Sequence, residues 1–308
     1  MQKRSLTSSL LDRIVTLFEG GFARLLLVPA LAFIGIFVVF PLVWSVILSF
    51  TNYSLIGRRA VEWGFIGFTN YIRILSDTVF RDSVINSFLF TIFSALIGQA
   101  FLGLAIALVV RMKPPEGPFG TILKILKVIA VTLVFISWVI PEVIAGYAWA
   151  AITEKGGLLT KLLGLEERLY LTRPLETIII SNIWRGTAFS MILFMAALES
   201  IPNYIYEAAE IDGATPWQRF RHIILPLIAH AIIVDFILIT IWTFGVFTIP
   251  FIILREQPSI LWTLYVYTKA TSIYEPARAA AAANIMFVIV LALIIVYLKL
   301  LGRLRGWS

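Results

Sequence analysis

Residues that could bind a polar ring recur in three apolar stretches of the chain. If each stretch is a helix, Trp138 lies one turn from Glu142, and Thr243 lies one turn from Phe247. Aromatic faces suit the apolar side of a ligand ring, whereas amide, carboxylate and hydroxyl groups suit polar groups of a ligand. Such groups within apolar stretches are functional candidates by default, and Trp138, Glu142, Asn182, Gly186, Phe189 and Thr243 are therefore predicted as candidates for binding a ligand.

The same residues have plainer interpretations, which the sequence leaves open. Trp138 and Phe189 could serve ordinary helix packing or an aromatic belt at a membrane surface. Asn182 could form an interhelical hydrogen bond worth roughly 0.6 kcal/mol, and Gly186 could permit two helices to approach closely.

Arg185 lies inside one of these apolar stretches and needs a partner. A bare arginine at the centre of a membrane helix costs at least about 2.5 kcal/mol. Glu142 and Asp235 are the candidate acids, so we predict an internal ion pair among Arg185, Glu142 and Asp235. Contact between Arg185 and a ligand is the alternative. An anionic ligand would require an unneutralised arginine, so these acids argue against one.

Other chemistry lacks the residues that it needs. The chain has no cysteine and only His222 and His230, which excludes disulfides, thiolate metal sites and cysteine nucleophiles and leaves no metal site. No G-x-x-x-x-G-K-[ST] motif is present, so the chain cannot cradle ATP phosphates itself. The net charge of +7 is interpreted as loop charge held against anionic lipid, not as a nucleic-acid surface.

Composition indicates an all-α membrane protein. Hydrophobic residues make up 60% of the 308-residue chain and charged residues 14%, and the mean hydropathy is +0.93. A membrane-spanning helix needs about 20 apolar residues. Six stretches meet this criterion, namely Leu25–Phe50, Val84–Val110, Lys127–Ile152 (interrupted by Pro141), Leu175–Leu198, Ile223–Leu254 and Ala279–Leu300.

The domain organisation follows from these spans. Residues 1–23 read as an amphipathic segment lying on the membrane surface, with a disordered tail as the alternative, and residues 24–308 form one six-span domain. The first apolar run is too long for a signal peptide and lacks a cleavage site. Basic residues near both termini and in the loop between the second and third spans place both termini in the cytoplasm.

The loop at residues 202–222 is rich in charged residues and is interrupted by Gly213 and Pro216, although apolar spans flank it. Pro202 ends the fourth span, and Asn203 is a predicted cap for a short helix through Ile211. Gly213 permits the chain to reverse. A second short helix is predicted from Pro216 to His222. Such a rigid element on the cytoplasmic surface would be a docking site for another protein.

This loop carries a signature. Glu207-Ala208-Ala209 is followed by Gly213 and then by Ile223-x-Leu225-Pro226, which resembles the EAA–G–I–LP signature of binding-protein-dependent ABC importer permeases. Flanking stretches such as "PLVWSVILSFTNYSL", "FIGFTNYIRIL" and "RDSVINSFLFT" resemble the carbohydrate-uptake branch, with its maltose/trehalose and glycerol-3-phosphate permeases. The similarity runs from about Leu27 to Leu300.

The resemblance implies the type I ABC importer permease (MetI-like) fold, with six transmembrane helices and a coupling helix that sits in a cleft of a cytoplasmic ATPase. It implies that the coupling residues are Glu207, Ala208, Ala209, Asp212 and Gly213. It also maps the sugar-lining positions of the maltose type onto the six ligand-binding residues predicted above. The fourth-span motif "SNIWRG" matches, whereas the fifth span reads "IWTFGVFTIP" where the maltose type is rich in asparagine, which argues against maltose itself.

The implied function is import of a sugar, a di- or oligosaccharide, across the cytoplasmic membrane by alternating access. The chain would be a non-catalytic subunit without a cofactor, and a separate ATPase would use ATP and Mg. The implied partners are a second homologous permease, two ATP-binding-cassette subunits, an extracytoplasmic solute-binding protein and the lipid bilayer. A permease for glycerol-3-phosphate or another polyol is one alternative. A secondary transporter with an ion route through Asp235, Glu142 and Arg185 is another, whereas an intramembrane enzyme would need a catalytic cluster that the sequence lacks.

Overall fold

The computed structural model describes residues 27–257 and 259–305, which are almost entirely helical. The surface segment predicted at residues 1–23 lies outside the described residues. Six helices are long and apolar enough to cross a membrane, as predicted. These are Leu27–Ser49, Thr78–Arg111, Pro118–Val139, Pro174–Glu199, Pro216–Ile253 and Pro276–Gly302.

Short helices connect these long ones. In chain order the helices are α1 (Leu27–Ser49), α2 (Thr69–Ser76), α3 (Thr78–Arg111), α4 (Pro118–Val139), α5 (Glu142–Thr153), α6 (Leu158–Leu162), α7 (Leu169–Thr172), α8 (Pro174–Glu199), α9 (Asn203–Ile211), α10 (Pro216–Arg219), α11 (Leu225–Gly245), α12 (Thr248–Ile253), α13 (Trp262–Thr271) and α14 (Pro276–Arg305). The middle of α3, Thr91–Gln99, is π-helical, and a π-helical turn at Phe220–Ile224 joins α10 to α11.

The predicted third span is two helices, and this prediction is corrected. Proline lacks an N–H and disfavours helical backbone in the residue before it. Ile140, which precedes Pro141, accordingly has an extended ψ of 128°. Helix α4 therefore ends at Val139 and α5 starts at Glu142, so Trp138 and Glu142 do not share one helical face.

The fifth span is broken in the same way near its end. Helix α11 ends at Gly245, Val246 is extended with a ψ of 133°, and α12 begins at Thr248. The predicted one-turn relation between Thr243 and Phe247 is therefore wrong, because Phe247 lies in the break.

Helix α8 is central to the bundle and packs against α3, α4 and α11. Small side chains let its neighbours approach closely: a Cβ at Gly103 of α3 would overlap the Ser190 side chain of α8. Apolar side chains of α3, α8 and α11 fill this part of the core, with Phe194, Leu198 and Ile228 almost fully buried. Such a packed interface holds the residues of α8 at fixed positions.

A second core anchors the broken segments. Trp149 of α5 packs with Ile178 of α8 and Ile249 of α12, and α5 and α12 are close neighbours. Gly146 of α5 lies against Ile252 of α12. The two helix breaks, after α4 and after α11, are therefore held against each other.

Charged loops close the end of the bundle at which α8 begins. Arg168 Nε lies 2.6 Å from Glu154 Oε1, and Arg168 Nη1 lies 3.2 Å from Glu256 Oε1. The Tyr170 hydroxyl donates to Glu154 Oε2 at 2.8 Å. That hydrogen bond and the charge of Arg168 hold the pKa of the Glu154 carboxyl below its usual range, although desolvation opposes them.

The outer faces of the long helices are apolar. On α1, Leu31, Phe33 and Phe37 are 63%, 61% and 63% exposed. A soluble monomer rarely exposes so large a contiguous apolar surface, whereas hydrocarbon chains of lipid match it.

Candidate functional site

A cavity of about 400 Å³ lies at the two helix breaks, bordered by α3, α4, α5, α8 and α11. All six residues that were predicted to bind a ligand line it. Its polar and aromatic lining residues are Gln99, Trp138, Glu142, Asn182, Arg185, Phe189, Trp242, Thr243, Phe247 and Thr248, with Gly186 among them. The structure therefore brings together positions that are distant in sequence.

The helix breaks explain how these residues meet. Pro141 turns the chain so that Trp138, at the end of α4, and Glu142, at the start of α5, both border the cavity. Asn182, Gly186 and Phe189 follow one face of the unbroken helix α8, as predicted.

Aromatic rings form one wall. The ring centroid of Trp138 lies 6.2 Å from that of Phe189, and Phe189 packs edge-on against Trp242 at 4.6 Å. Trp242 is not among the predicted ligand-binding residues, because adjacent helical residues point in different directions. Its position directly before Thr243, near the end of α11, lets both residues border the cavity.

The plainer interpretations of Asn182 and Gly186 also have a structural basis. Asn182 Nδ2 donates to Ser94 Oγ of α3 at 2.8 Å, which leaves the Oδ1 acceptor for other contacts. A Cβ at Gly186 would overlap the carboxamide of Gln99. Both residues thus join α8 to α3 and border the cavity at the same time.

Arg185 is held at the break between α4 and α5. Its Nη1 donates to the Ile140 carbonyl at 2.8 Å, and its Nη2 lies 3.4 Å from Glu142 Oε1. A cation at a helix C-terminus is favourable because the last carbonyl groups lack helical partners. Arg185 therefore bridges the end of α4 and the start of α5.

Asp235 does not join this pair, which corrects the predicted three-residue set. Its carboxylate is fully buried, and both oxygens lie 3.0 Å from the Ser190 hydroxyl. Asp235 therefore connects α11 to α8 in the core, and no ion pair joins it to Arg185 within the described part of the chain.

Replacing Arg185 with methionine should impair the uptake that the resemblance implies, because it removes the donor to Ile140 and leaves Glu142 without its counter-ion. Breaking a fully buried pair costs about 3–5 kcal/mol, and the cost should be smaller here because the Glu142 side chain is 43% exposed. Adding Glu142→Gln should restore part of the uptake, whereas adding Asp235→Asn should not. Uptake at matched membrane abundance measures this. No recovery with Glu142→Gln, or recovery with Asp235→Asn, would contradict the pairing.

The loop at residues 202–222 lies at the other end of α8. Helix α9 packs Ile205 and Tyr206 against the core of the bundle, buries Ala209 and exposes Glu207 and Ala208. Gly213 has a φ of 70°, in the left-handed region that favours glycine. Its N–H donates to the Glu210 carbonyl at 3.1 Å, which ends α9 in a tight turn.

The second helix of this loop differs from the prediction. Thr215 caps α10 in a capping box with Gln218, which donates its N–H to Thr215 Oγ1 at 3.3 Å. The helix then continues through Phe220–Ile224 into α11, so it does not end at His222. Asn203 is the first residue of α9 and makes no side-chain cap, so that prediction is wrong as well.

Arg111, at the end of α3, ties this loop to the bundle. Its Nη1 lies 3.0 Å from Glu199 Oε2, and its Nη2 donates to the Ile201 carbonyl at 3.3 Å. The guanidinium also lies 4.9 Å from the centre of the Tyr206 ring on α9. A displacement of α9 would therefore act directly on α3 and α8.

The outer surface of the loop is apolar as well as acidic. Tyr204, Ile211 and Trp217 are 69%, 87% and 64% exposed, beside the exposed Glu207 and Asp212. Exposed large apolar side chains on a rigid element are typical of a protein-binding surface. For a metal, by contrast, residues 27–257 and 259–305 contain no group of three or more candidate ligands.

Known proteins are similar to this chain in sequence over nearly its whole length. The chain is 33% identical over 297 residues to the inner membrane ABC transporter permease protein YcjO of Escherichia coli, covering 92% of this chain and 96% of that one. It is 30% identical over 298 residues to the trehalose/maltose transport system permease protein MalF of Thermococcus litoralis, covering 93% and 95%. No protein-family model matches the chain.

A solved structure supports the fold independently. A chain of a bacterial alginate ABC transporter, crystallised with a periplasmic protein that holds an alginate pentasaccharide, superposes with a TM-score of 0.72. The alignment covers 91% of this chain and 93% of that one at 22% identity. With this fold, and with close relatives over nearly its whole length, the chain belongs to the ABC importer permease family, in the carbohydrate-uptake branch.

Proposed function

We propose that this chain imports a neutral sugar, a di- or oligosaccharide, by alternating access between two sides of the cytoplasmic membrane. The cavity at the helix breaks is the observation that carries the proposal. It combines the aromatic rings of Trp138 and Phe189 with the amide of Asn182 and the hydroxyl of Thr243. Its volume of about 400 Å³ lies within the range of about 300–1,000 Å³ that is usual for small-molecule sites.

Each part of the wall has a role in this proposal. The rings of Trp138, Phe189 and Trp242 contact the C–H faces of the sugar, while Asn182 Oδ1 and Thr243 contact its hydroxyls. Glu142 neutralises Arg185, so an uncharged ligand does not need to supply a counter-ion. A polar ligand at this depth exchanges its water for these groups, and the fixed wall keeps the cost of ordering them low.

Energy reaches the cavity through the loop at residues 202–222. In this proposal α9 docks in an ATPase subunit, with Glu207, Ala208, Ala209, Asp212 and Gly213 forming the contact. Two such ATPases, which bind ATP and Mg, move the coupling helices of this chain and of a second permease. Arg111 passes the motion of α9 to α3, and the cavity opens alternately to each side. A solute-binding protein delivers the sugar at the opposite face, and both termini lie in the cytoplasm.

An anionic saccharide or glycerol-3-phosphate is the second candidate ligand. Arg185 borders the cavity, and its distance of 3.4 Å from Glu142 is long for an ion pair. A ligand anion could therefore compete for the guanidinium. A Glu142→Gln variant would then import an anionic sugar better than the wild type does, whereas a neutral-sugar permease would gain nothing from that change.

Purification from native membranes tests the proposed function. An ATP-binding-cassette protein and a second permease should co-purify with the chain in a stable complex. Uptake should fall when cells are depleted of ATP and should persist when an uncoupler removes the proton gradient. A secondary transporter would give the opposite energy dependence and no co-purifying ATPase.

A further inference from the structure

Gln99 is a buried polar residue whose position the ligand-binding prediction did not include. It is the last residue of the π-helical segment Thr91–Gln99 of α3, and it is only 3% exposed. It nevertheless borders the cavity at the helix breaks. A π-helical segment inside an α-helix is rare and is frequently found at functional sites.

Gly186 makes the room that Gln99 occupies, and Gly98 makes room for Ile183 of α8. A Cβ at Gly186 of α8 would overlap the Gln99 carboxamide, and a Cβ at Gly98 of α3 would overlap the side chain of Ile183. Helices α3 and α8 thus approach each other through two small residues. The side chain of Gln99 lies across Gly186, between Asn182 and Phe189 along α8.

The carboxamide of Gln99 makes no hydrogen bond with any other residue in the described ranges, 27–257 and 259–305. Asn182, which also borders the cavity, donates a hydrogen bond to Ser94. The amide is not sealed in the core: in the described part of the chain, only the Tyr206 hydroxyl is a fully buried side-chain polar atom without a partner. Because Gln99 borders the cavity, a molecule in the cavity can supply a partner for its carboxamide.

We propose that Gln99 contacts the transported sugar and helps to determine which sugar passes. Its carboxamide can donate to one hydroxyl and accept from a neighbouring one, so it distinguishes the relative orientation of two adjacent hydroxyls. This inference rests on the proposed sugar import. It adds α3 to the ligand-binding elements and gives Gly186 the function of admitting the Gln99 side chain.

A ratio of two uptake rates tests this role. The purified complex with its binding protein is reconstituted in proteoliposomes, and uptake of radiolabelled maltose, trehalose, cellobiose and lactose is measured. For the two sugars that the wild type imports fastest, Gln99→Leu should lower uptake about tenfold, the value of one good hydrogen bond. It should also change the ratio of the two rates. The binding protein is the same in every sample, so a changed ratio reports on the permease.

Thr91→Val is the matched control. Thr91 lies in the same π-helical segment and is buried, but its hydroxyl donates to the Ser87 carbonyl at 2.8 Å and does not border the cavity. This variant should keep the wild-type ratio. Gln99→Asn keeps the carboxamide, shortens the side chain and disturbs the packing less than Gln99→Leu does. If the Gln99→Leu complex does not assemble, the ratio of the two uptake rates is measured with Gln99→Asn.

Two outcomes separate failure of the Gln99 role from failure of the proposed sugar import. If the wild type imports sugar and both Gln99 variants keep its ratio, Gln99 is a packing residue only. If the wild-type complex imports none of the four sugars, the proposed neutral-sugar import fails, and the role of Gln99 fails with it.

Discussion

Replacing Gly213 with proline should abolish uptake while the protein remains in the membrane. Gly213 has a φ of 70°, whereas proline fixes φ near about −65°. Proline would also remove the N–H that donates to the Glu210 carbonyl. The turn after α9 would have to open, and the exposed residues Glu207 and Asp212 would lose their fixed relation to the rest of the loop. We expect residual ATP hydrolysis that the binding protein no longer stimulates.

Two milder substitutions at Gly213, and a proline substitution in a similar turn, serve as controls for this result. Asparagine tolerates the left-handed conformation, so Gly213→Asn should retain most uptake, and Gly213→Ala, at a cost of about 1–2 kcal/mol, should be intermediate. Gly164 has the same turn geometry, with a φ of 64° and an N–H that donates to the Lys161 carbonyl at 3.1 Å. It lies at the opposite end of α8, so Gly164→Pro should retain more uptake than Gly213→Pro. Normal transport by well-expressed Gly213→Pro protein would end the coupling proposal.

Replacing Asn182 with leucine should lower sugar uptake at least about tenfold, because the change removes an amide from the cavity wall and roughly keeps the volume. Stimulation of the ATPase by the binding protein should be largely intact, since the proposed ATPase contact lies in the loop at residues 202–222 and not in the cavity. Uptake and ATP hydrolysis are measured in proteoliposomes at equal protein amounts.

Ser94→Ala separates the ligand role of Asn182 from its packing role. Ser94 is fully buried outside the cavity and accepts the hydrogen bond from Asn182. If that bond is the only function of Asn182, both variants should lose the same activity, and the loss should be small because such bonds average roughly 0.6 kcal/mol. If Asn182 contacts the sugar, Asn182→Leu should be far worse than Ser94→Ala. Unchanged uptake by Asn182→Leu would remove this residue from the site.

Local sequence rules were sufficient for much of the architecture. Apolar length predicts the six spans, because hydrocarbon thickness fixes how long a spanning helix must be. The glycine at position 213 predicts a reversal that the structure contains, with its positive φ. The one-turn spacing of Asn182, Gly186 and Phe189 predicts a shared face because α8 has no interior proline to break it.

Other features depend on contacts between distant segments. Pro141 signals a break, but the direction of α5 after the break is set by its packing against α12. The end of α11 at Gly245 has no proline to announce it. Gln99 and Gly186 are far apart in sequence, and only the approach of α3 to α8 shows that one makes room for the other. The sequence likewise does not distinguish the two acids that could pair with Arg185, whereas the structure pairs Asp235 with Ser190.

The central claim is that a sugar passes through the cavity at the helix breaks. Cryo-electron microscopy of the complex purified from native membranes, held with its sugar-loaded binding protein and a non-hydrolysable ATP analogue, tests that claim most directly. The account predicts sugar density against the rings of Trp138 and Phe189, within hydrogen-bonding distance of Asn182 and Gln99. Sugar density bound elsewhere in the complex, with this cavity filled by side chains of the second permease, would contradict it.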